Sequence, residues 1–256
     1  MLDVIQYDAV HGFVSDAAHG YWRMSDWVLI VSSVYSRHLY CWVPVLFSAA
    51  NGTTSNHYQI HFLMLFQSIA SQCQKQGHQL TDEMFACVVD FSQAQANGFV
   101  EAFIQFWLSM EGNTRNKEEL AKAANSLLKG CYQHFRTGIT RLKRISGVIQ
   151  PQLQDTFESR ALGLLEAINA EAFKAHAAAL ICDFPGVKNW MDWWQQDRPS
   201  RMLFKPFRTM KEDLWKQLPD TTNAEEAMHF RLYSGLGRNL GLMEGLEGLF
   251  SYLDNL

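Results

Sequence analysis

The chain has 256 residues, 48% of them hydrophobic and 19% charged, which excludes a disordered protein and allows one large domain or two small ones. Its net charge of −4 at pH 7 argues mildly against nucleic acid as a partner. The five cysteines are odd in number and scattered, which indicates free thiols in a reducing compartment, the cytosol or the nucleus.

Charge is unevenly distributed along the chain. Residues 1–110 carry three Lys or Arg against eight Asp or Glu, residues 111–219 seventeen against twelve, and residues 220–256 two against six. Acidic ends therefore flank a basic middle, as in a protein that holds metal in an acidic layer and a polyanion on a basic surface. The first ten residues contain two Asp and no basic residue, so we expect no secretory signal.

Three strands are predicted near the start of the chain, over residues 10–16, 27–34 and 41–47. The second is apolar almost throughout, which is typical of a strand buried on both faces. Arg37 and His38 interrupt the apolar stretch 27–50, so we expect a hairpin there and no membrane span. Pro44 lacks an N–H, which predicts that the third strand lies at a sheet edge or is bulged.

A crossover helix and a fourth strand are predicted next. Apolar residues recur at helical spacing over residues 57–74. The apolar run 85–90 then ends on Asp90, directly before another helical pattern. In α/β sheets, ligands and catalytic groups lie at such strand ends, although an Asp there is also a common helix cap. The order β-β-β-α-β-α predicts an α/β fold with the fourth strand parallel to the first.

From residue 111 to about residue 218 the patterns indicate helices only, over residues 116–129, 132–145, 151–169 and 171–182. An aromatic cluster follows, which we interpret as core of this helical part: Trp190, Trp193 and Trp194. The closing segment 224–256 is also predicted to be helical. We therefore divide the chain into a core (1–110), an all-helical insertion (111–219) and C-terminal helices that return to the core (220–256).

Three acidic residues stand out by position. Asp16 and Asp90 end two strands predicted to be neighbours, and Glu226 lies in the first turn of a late helix. Adjacent carboxylates repel unless a cation lies between them, and Mg²⁺ takes such oxygen ligands. Asp8 competes with Asp16 for this role and Glu225 competes with Glu226, which would otherwise form a capping box after Asn223.

This order of elements resembles the ribonuclease H-like catalytic domain of DDE transposases, and more specifically the Mutator-like (MULE) group. The resembling stretches are Val14 to Gly20, Val88 to Ala94, Cys131 to His134 and Thr221 to His229. The family's C-x-x-H motif is matched by Cys131 and His134, and its N-x-x-E pattern by Asn223 and Glu226, which favours Glu226 over Glu225. His229 lies in the last stretch without an assigned role.

The resemblance implies a mixed ribonuclease H-like sheet with a long helical insertion, and metal-dependent cutting and joining of transposon DNA ends. Asp16, Asp90 and Glu226 would hold two Mg²⁺ or Mn²⁺ ions. The implied partner is double-stranded DNA in the nucleus, with no membrane and with self-association left open. The alternative is an inactive, domesticated descendant that binds DNA or protein, so whether this copy is an enzyme stays open.

Other candidate residues have structural interpretations beside functional ones. Cys131 and His134 form only half of a structural zinc site, so we favour packing over a role in shaping the site. His57 and His61 are one helical turn apart, but a third ligand is missing and structure is favoured again. The basic run predicted on one helix is a solvated face or a phosphate-contact surface: Arg136, Arg141, Lys143 and Arg144.

Overall fold

A five-stranded mixed sheet with the order β3-β2-β1-β4-β5 lies at the centre of the fold. The computed structural model describes residues 12–254, so the competing residue Asp8 lies outside the described residues. The strands are β1 (Phe13–His19), β2 (Val28–Ser36), β3 (Cys41–Ala50), β4 (Cys87–Val89) and β5 (Leu128–Gly130). The predicted α/β class is therefore confirmed.

The first three strands form the predicted antiparallel meander. Strand β2 is almost entirely buried, because both of its faces are covered. Strand β3 is at the edge of the sheet among the described residues. Its pairing register shifts between Ser32 and Ser33, and Pro44 lies opposite Ser33. Pro44 thus combines an edge position with an irregular register, as its missing N–H requires.

The remaining strands run parallel to β1. Phe13 pairs with Cys87 and Val14 with Val88, so β4 lies beside β1 in the predicted orientation. Strand β5 lies on the other side of β4 and is also parallel to it. The end of β4 therefore lies beside the middle of β1, and the end of β5 lies beside the end of β4.

Eleven α-helices are present in the described part of the chain, besides five short 3₁₀ helices. They are α1 (Ser55–Gln76), α2 (Gln93–Ser109), α3 (Lys117–Asn125), α4 (Tyr132–Arg144), α5 (Gln154–Gly163), α6 (Ala170–Asp183), α7 (Lys188–Trp194), α8 (Asp197–Leu203), α9 (Glu212–Gln217), α10 (Asn223–Leu236) and α11 (Leu242–Asp254). None of the helices in residues 12–254 has the length and apolar character needed to cross a bilayer.

The helices α1 and α2 cover one face of the sheet. Alternate residues of β2 point to opposite faces, and Ile30 packs into the core beneath these two helices. Aromatic rings from β1, α1 and α2 interlock there: Phe13, Phe62, Phe66 and Phe99. Such ring pairs add to the stability gained from burial alone.

The helices α10 and α11 cover the opposite face. Leu29 and Val31 of β2 pack with Met228 and Leu232 of α10 in a separate buried cluster. Asp16 pairs directly with Val31, and paired residues share a face in an antiparallel ladder. The side chain of Asp16 therefore points to the face that α10 covers.

A third apolar cluster lies within the helical segment and joins α4 to α8, with members from Phe135 to Phe204. Trp194 is buried in it, whereas Trp190 is partly buried and Trp193 is more exposed. The interpretation of the tryptophans as core of this segment is thus correct for Trp194 and Trp190. Phe91, directly after β4, packs against both this cluster and the sheet core.

The structure differs from the sequence prediction in three places. Residues 128–130 are a strand, so the expectation of helices only from 111 onwards is wrong there. Leu120 and Ala124 of α3 also belong to the sheet core. In addition, Asp16 is in the middle of β1 and not near its end, because pairing with β2 continues to His19.

Candidate functional site

Asp16 and Asp90 lie on neighbouring parallel strands. The pairing of Val14 with Val88, continued by two residues, sets Asp16 beside Asp90, which directly follows β4. Their side chains are 21% and 23% exposed, respectively. Two half-buried carboxylates at one level of a rigid sheet are therefore open to solvent on one side.

The electrostatics of Asp16 reflect this proximity. Burial, followed by the negative charge of Asp90, raises the pKa of Asp16 from 3.8 to about 7. A smaller contribution in the same direction comes from Glu226. Without a cation, Asp16 thus keeps a proton close to neutral pH, because burial, and after it the nearby acidic groups, disfavour its ionised form.

Asp90 is held by side chains from two other elements. His134 Nε2, in the first turn of α4, donates to Asp90 Oδ2 at 3.1 Å. The hydroxyl of Thr222, just before α10, lies 3.3 Å from both Asp90 Oδ1 and Cys131 Sγ. The helix after Asp90 is instead capped by Ser92, which accepts from the Gln95 N–H. The capping alternative for Asp90 is therefore wrong.

Cys131 and His134 lie beside Asp90. Residue Val89 pairs with Gly130, so the register continues to set Cys131, at the start of α4, beside Asp90. Ligand atoms of Asp90, Cys131 and His134 all lie within 4.8 Å of one another. The expectation that Cys131 is a packing residue is correct, because its side chain is fully buried. Cys131 and His134 also contact Asp90, however, so both belong to the surroundings of the candidate site.

The protonation of this group is coupled. Hydrogen bonds with Asp90 and then Cys131 raise the pKa of His134 to about 10. Burial opposes ionisation of the Cys131 thiol, but hydrogen bonds from His134 and Thr222 outweigh it and lower the pKa of Cys131. An imidazolium between a carboxylate and a polarised thiol is the arrangement that these contacts favour.

The two glutamates of α10 occupy different environments. Helix α10 begins at Asn223 after Thr222, so Asn223 is not the cap. Glu226 is exposed and raises the pKa of Asp16. Glu225 is fully buried, and in the described part of the chain neither of its oxygens has a hydrogen-bond partner.

Burial, with a smaller contribution from the charge of Asp16, raises the pKa of Glu225 to about 8, and the neighbouring Ser33 offsets part of this rise without forming a well-aligned hydrogen bond. A buried carboxylic acid of this kind is neutral near pH 7. Glu226 is the α10 carboxylate on the solvent side of Asp16, whereas Glu225 is part of the packing against β2.

His229 lies one turn after Glu225 and approaches Asp16. Its Nδ1 is 3.9 Å from Asp16 Oδ2, and burial lowers the pKa of His229 to about 4. The imidazole is therefore neutral at physiological pH and limits the solvent around Asp16. Sequence reasoning gave this residue no role, since only its place near Glu226 singled it out.

The predicted basic run is on α4. Arg136, Arg141 and Arg144 are exposed, whereas Lys143 is partly buried in an ion pair with Glu158. Arg141 follows His134 by seven residues, so it lies on the same face of the helix, about 10 Å further along its axis. The three arginines thus take no part in the ion pair of Lys143, and Arg141 lies on the same face of α4 as His134.

The histidine pair of α1 has structural partners. His61 is buried between the hydroxyls of Ser32 and Ser48, and His57 contacts Thr54 and Asn51 at the start of the helix. The structural interpretation of this pair is therefore confirmed. Thr222 is the contact residue that sequence reasoning missed, because a threonine before a helix carries no distinguishing pattern.

Comparisons with protein-family models, with curated proteins and with solved structures found no match.

Proposed function

We propose that this protein is a divalent-metal-dependent DNA-cutting and DNA-joining domain with a ribonuclease H-like fold, of the kind found in Mutator-like transposases. The proposal depends chiefly on one observation. Asp16 and Asp90 stand side by side on parallel strands, with Glu226 close enough to raise the pKa of Asp16. The strand order, with β1 antiparallel to β2 and parallel to β4, resembles the sheet that the proposed fold requires.

The donor set fits a hard divalent cation. Asp16, Asp90 and Glu226 offer carboxylate oxygens, the ligands that Mg²⁺ and Mn²⁺ prefer. A bound cation would offset both causes of the raised pKa of Asp16, its burial and the negative charge of Asp90. When bound, a pair of such ions supplies activation of the attacking oxygen and stabilisation of the leaving oxygen in phosphodiester cleavage.

The chain itself contributes rigidity and selectivity. Asp16 is fixed by its strand pairing with Val31, and Asp90 is oriented by His134 and Thr222. Neutral His229 covers the side of Asp16 that faces α10. These contacts fix the positions of the two carboxylates. Each carboxylate is partly exposed to solvent, so a large substrate has access to both.

Helix α4 offers a path for the DNA backbone. His134 is at its site end, and Arg141 lies about 10 Å further along the same face. Arg141 on this face, together with the exposed Arg136 and Arg144 elsewhere on α4, would contact phosphates without reading the sequence. A DNA substrate of this kind implies a nuclear protein. The proposal also includes self-association of the chain, which size-exclusion chromatography with light scattering measures.

A second candidate function is a non-enzymatic descendant that binds DNA or protein. The favouring observation is that both oxygens of Asp90 already have partners, His134 and Thr222. A metal ion would have to compete with these contacts. If this candidate is correct, the protein keeps the same fold but does not bind Mg²⁺ or Mn²⁺ at the carboxylates.

Plasmid nicking separates the two candidates. Supercoiled plasmid is incubated with the protein in Mg²⁺ or Mn²⁺, and the same reaction is run with Asp90→Asn. We expect the substitution to reduce nicking at least about 100-fold, more than the roughly 10- to 100-fold cost of losing a ligand's hydrogen-bonding partner. Glu101→Gln, an exposed carboxylate on α2, is the matched control and should nick like the wild type.

Equal nicking by wild type and Asp90→Asn would indicate a contaminating nuclease and reject the enzymatic proposal. Absence of nicking from the folded wild type, together with retained salt-dependent DNA binding, would favour the non-enzymatic candidate. Circular dichroism of each variant shows that a loss of nicking is not a loss of fold.

A further inference from the structure

We propose that Asp90, Cys131 and His134 form a second binding site, which shares Asp90 with the carboxylate site, for a thiophilic divalent cation of the zinc class. The three side chains offer a carboxylate oxygen, a sulfur and an imidazole nitrogen, all within 4.8 Å of one another. Zinc binds these ligand types at about 2.0–2.3 Å, so donors of one tetrahedral ion lie about 3.3–3.8 Å apart. Small side-chain adjustments would therefore bring all three onto a single ion.

The backbone brings these donors together in advance. Asp90 and Cys131 directly follow β4 and β5, which are adjacent and parallel, and the Cys131 N–H donates to the Val89 carbonyl at 3.0 Å. His134 follows in the first turn of α4. The site is thus built from strand ends and a helix start, the most rigid positions in this region, which lowers the entropy cost of binding.

Access to this site is from the solvent side. The Asp90 and His134 side chains are 23% and 43% exposed, while Cys131 is fully buried beneath them. An incoming ion would displace the proton between His134 and Asp90 and the proton of the Cys131 thiol, releasing both to solvent, and would put coordinate bonds to the three side chains in their place. Three protein ligands leave a fourth position for water, as in open zinc sites.

Cys131 makes this site different from the carboxylate site. Thiolate ligands select zinc and similar soft ions, whereas Mg²⁺ and Mn²⁺ prefer oxygen. Asp90 belongs to both sets, so occupation by zinc would compete with the hard cation. That inhibitory effect depends on the proposed function, but zinc binding itself does not.

The test is metal binding by the purified full chain. Co²⁺ titration should give one ion per chain with a thiolate-to-metal absorption band, and Zn²⁺ should displace it in competition with a chromophoric chelator. Cys131→Ser should abolish the band, and His134→Gln should weaken Zn²⁺ binding at least about 10-fold. Cys182→Ser, which removes an exposed cysteine, is the matched control and should bind like the wild type.

A Co²⁺ spectrum without the thiolate band, or unchanged Zn²⁺ affinity in His134→Gln, would overturn the proposal. The latter variant decides the matter if Cys131→Ser fails to fold, because His134 is partly exposed and its replacement is milder. Glu226→Gln separates the two proposals, since it lies outside the zinc donors and should keep Zn²⁺ affinity while losing nicking. Zinc binding in a protein that never nicks would reject only the proposed function.

Discussion

Asp16 is a carboxylate held in mid-strand, where it cannot move away from its neighbours. It is paired on one side with Val31 and lies beside Asp90 on the other. Burial is the first cause of its raised pKa and the charge of Asp90 the second. Ionised Asp16 therefore lowers the stability of the metal-free protein, and protonation relieves the penalty.

Replacing Asp16 by Asn should stabilise the protein at pH 8 in the presence of a chelator. The pKa of about 7, compared with 3.8 as the ordinary value, means that the penalty is complete above pH 7 and declines as the pH falls towards 3.8. We expect a gain of about 1–2 kcal/mol in the free energy of unfolding at pH 8, after allowance for partial exposure. Urea denaturation at several pH values measures it.

The gain should be smaller at pH 5 than at pH 8. Asp26→Asn, at an exposed loop position, controls for the removal of one negative charge from the chain. A gain from Asp16→Asn that is the same at both pH values would contradict the assigned cause. Destabilisation at pH 8 would contradict it too.

At the residue scale, the sequence was sufficient to predict that Asp16 and Asp90 are neighbours. It was insufficient to identify which glutamate of α10 is the third carboxylate. The predicted adjacency of two parallel strands, β1 and β4, sets Asp16 beside Asp90, and the register agrees even though Asp16 lies in mid-strand. The choice between Glu225 and Glu226 depends on where α10 begins, and a shift of one residue rotates the helix by about 100°. Sequence patterns locate the start of a helix only to within about one or two residues. Only packing against β2 therefore distinguishes the buried Glu225 from the exposed Glu226.

The elements themselves follow the hydrophobic patterns where these are long. Helix α1 has apolar residues at three- and four-residue spacing and was predictable almost to its ends. Strand β5 was missed because its three residues, Leu128 to Gly130, carry too little alternation to count as a strand. It forms because the edge of β4 offers unpaired backbone groups to Leu128 and Gly130, which is a tertiary cause.

The contact between α1 and α2 depends on one glycine. A Cβ added at Gly98 would lie 2.6 Å from the Ser55 carbonyl oxygen and 2.8 Å from the Gln59 nitrogen. Gly98→Ala should therefore lower the free energy of unfolding by about 1–3 kcal/mol, although alanine favours helix in general. Thermal or urea denaturation measures the change.

Gly163 of α5 provides the opposite case for the same substitution. It is helical, and an added Cβ would meet no atom within 4 Å among the described residues. Gly163→Ala should raise stability by about 0.4–1 kcal/mol. Equal effects of the two substitutions would show that α1 and α2 do not pack as closely as described.

At the scale of the whole molecule, Lys129 of β5 connects the sheet to the segment that follows α9. Lys129 of β5 is almost fully buried and donates to the carbonyls of Trp215 and Leu218 at 3.0 and 2.9 Å. It also pairs with Asp220 at 2.8 Å. These contacts fix the segment that precedes Thr222 and α10, and so they position the last part of the site.

Lys129→Met should destabilise the protein by about 3 kcal/mol, because two buried carbonyls lose their donor. The side chain of Lys129 is 2% exposed, compared with 76% for its partner Asp220. Asp220→Asn should consequently cost less than about 1 kcal/mol. Urea unfolding followed by tryptophan fluorescence gives both values, and a similar cost for the two variants would refute this explanation.

The cover formed by α10 and α11 sets an order of events during synthesis. Val31 leaves the ribosome about 200 residues before Met228, its packing partner, which is an interval of roughly 10–40 s at 5–20 residues per second. Throughout this interval the apolar face of β2 has no cover from these helices. On the nascent chain this apolar face of β2 is therefore exposed, as an aggregation-prone surface, until α10 and α11 dock on it.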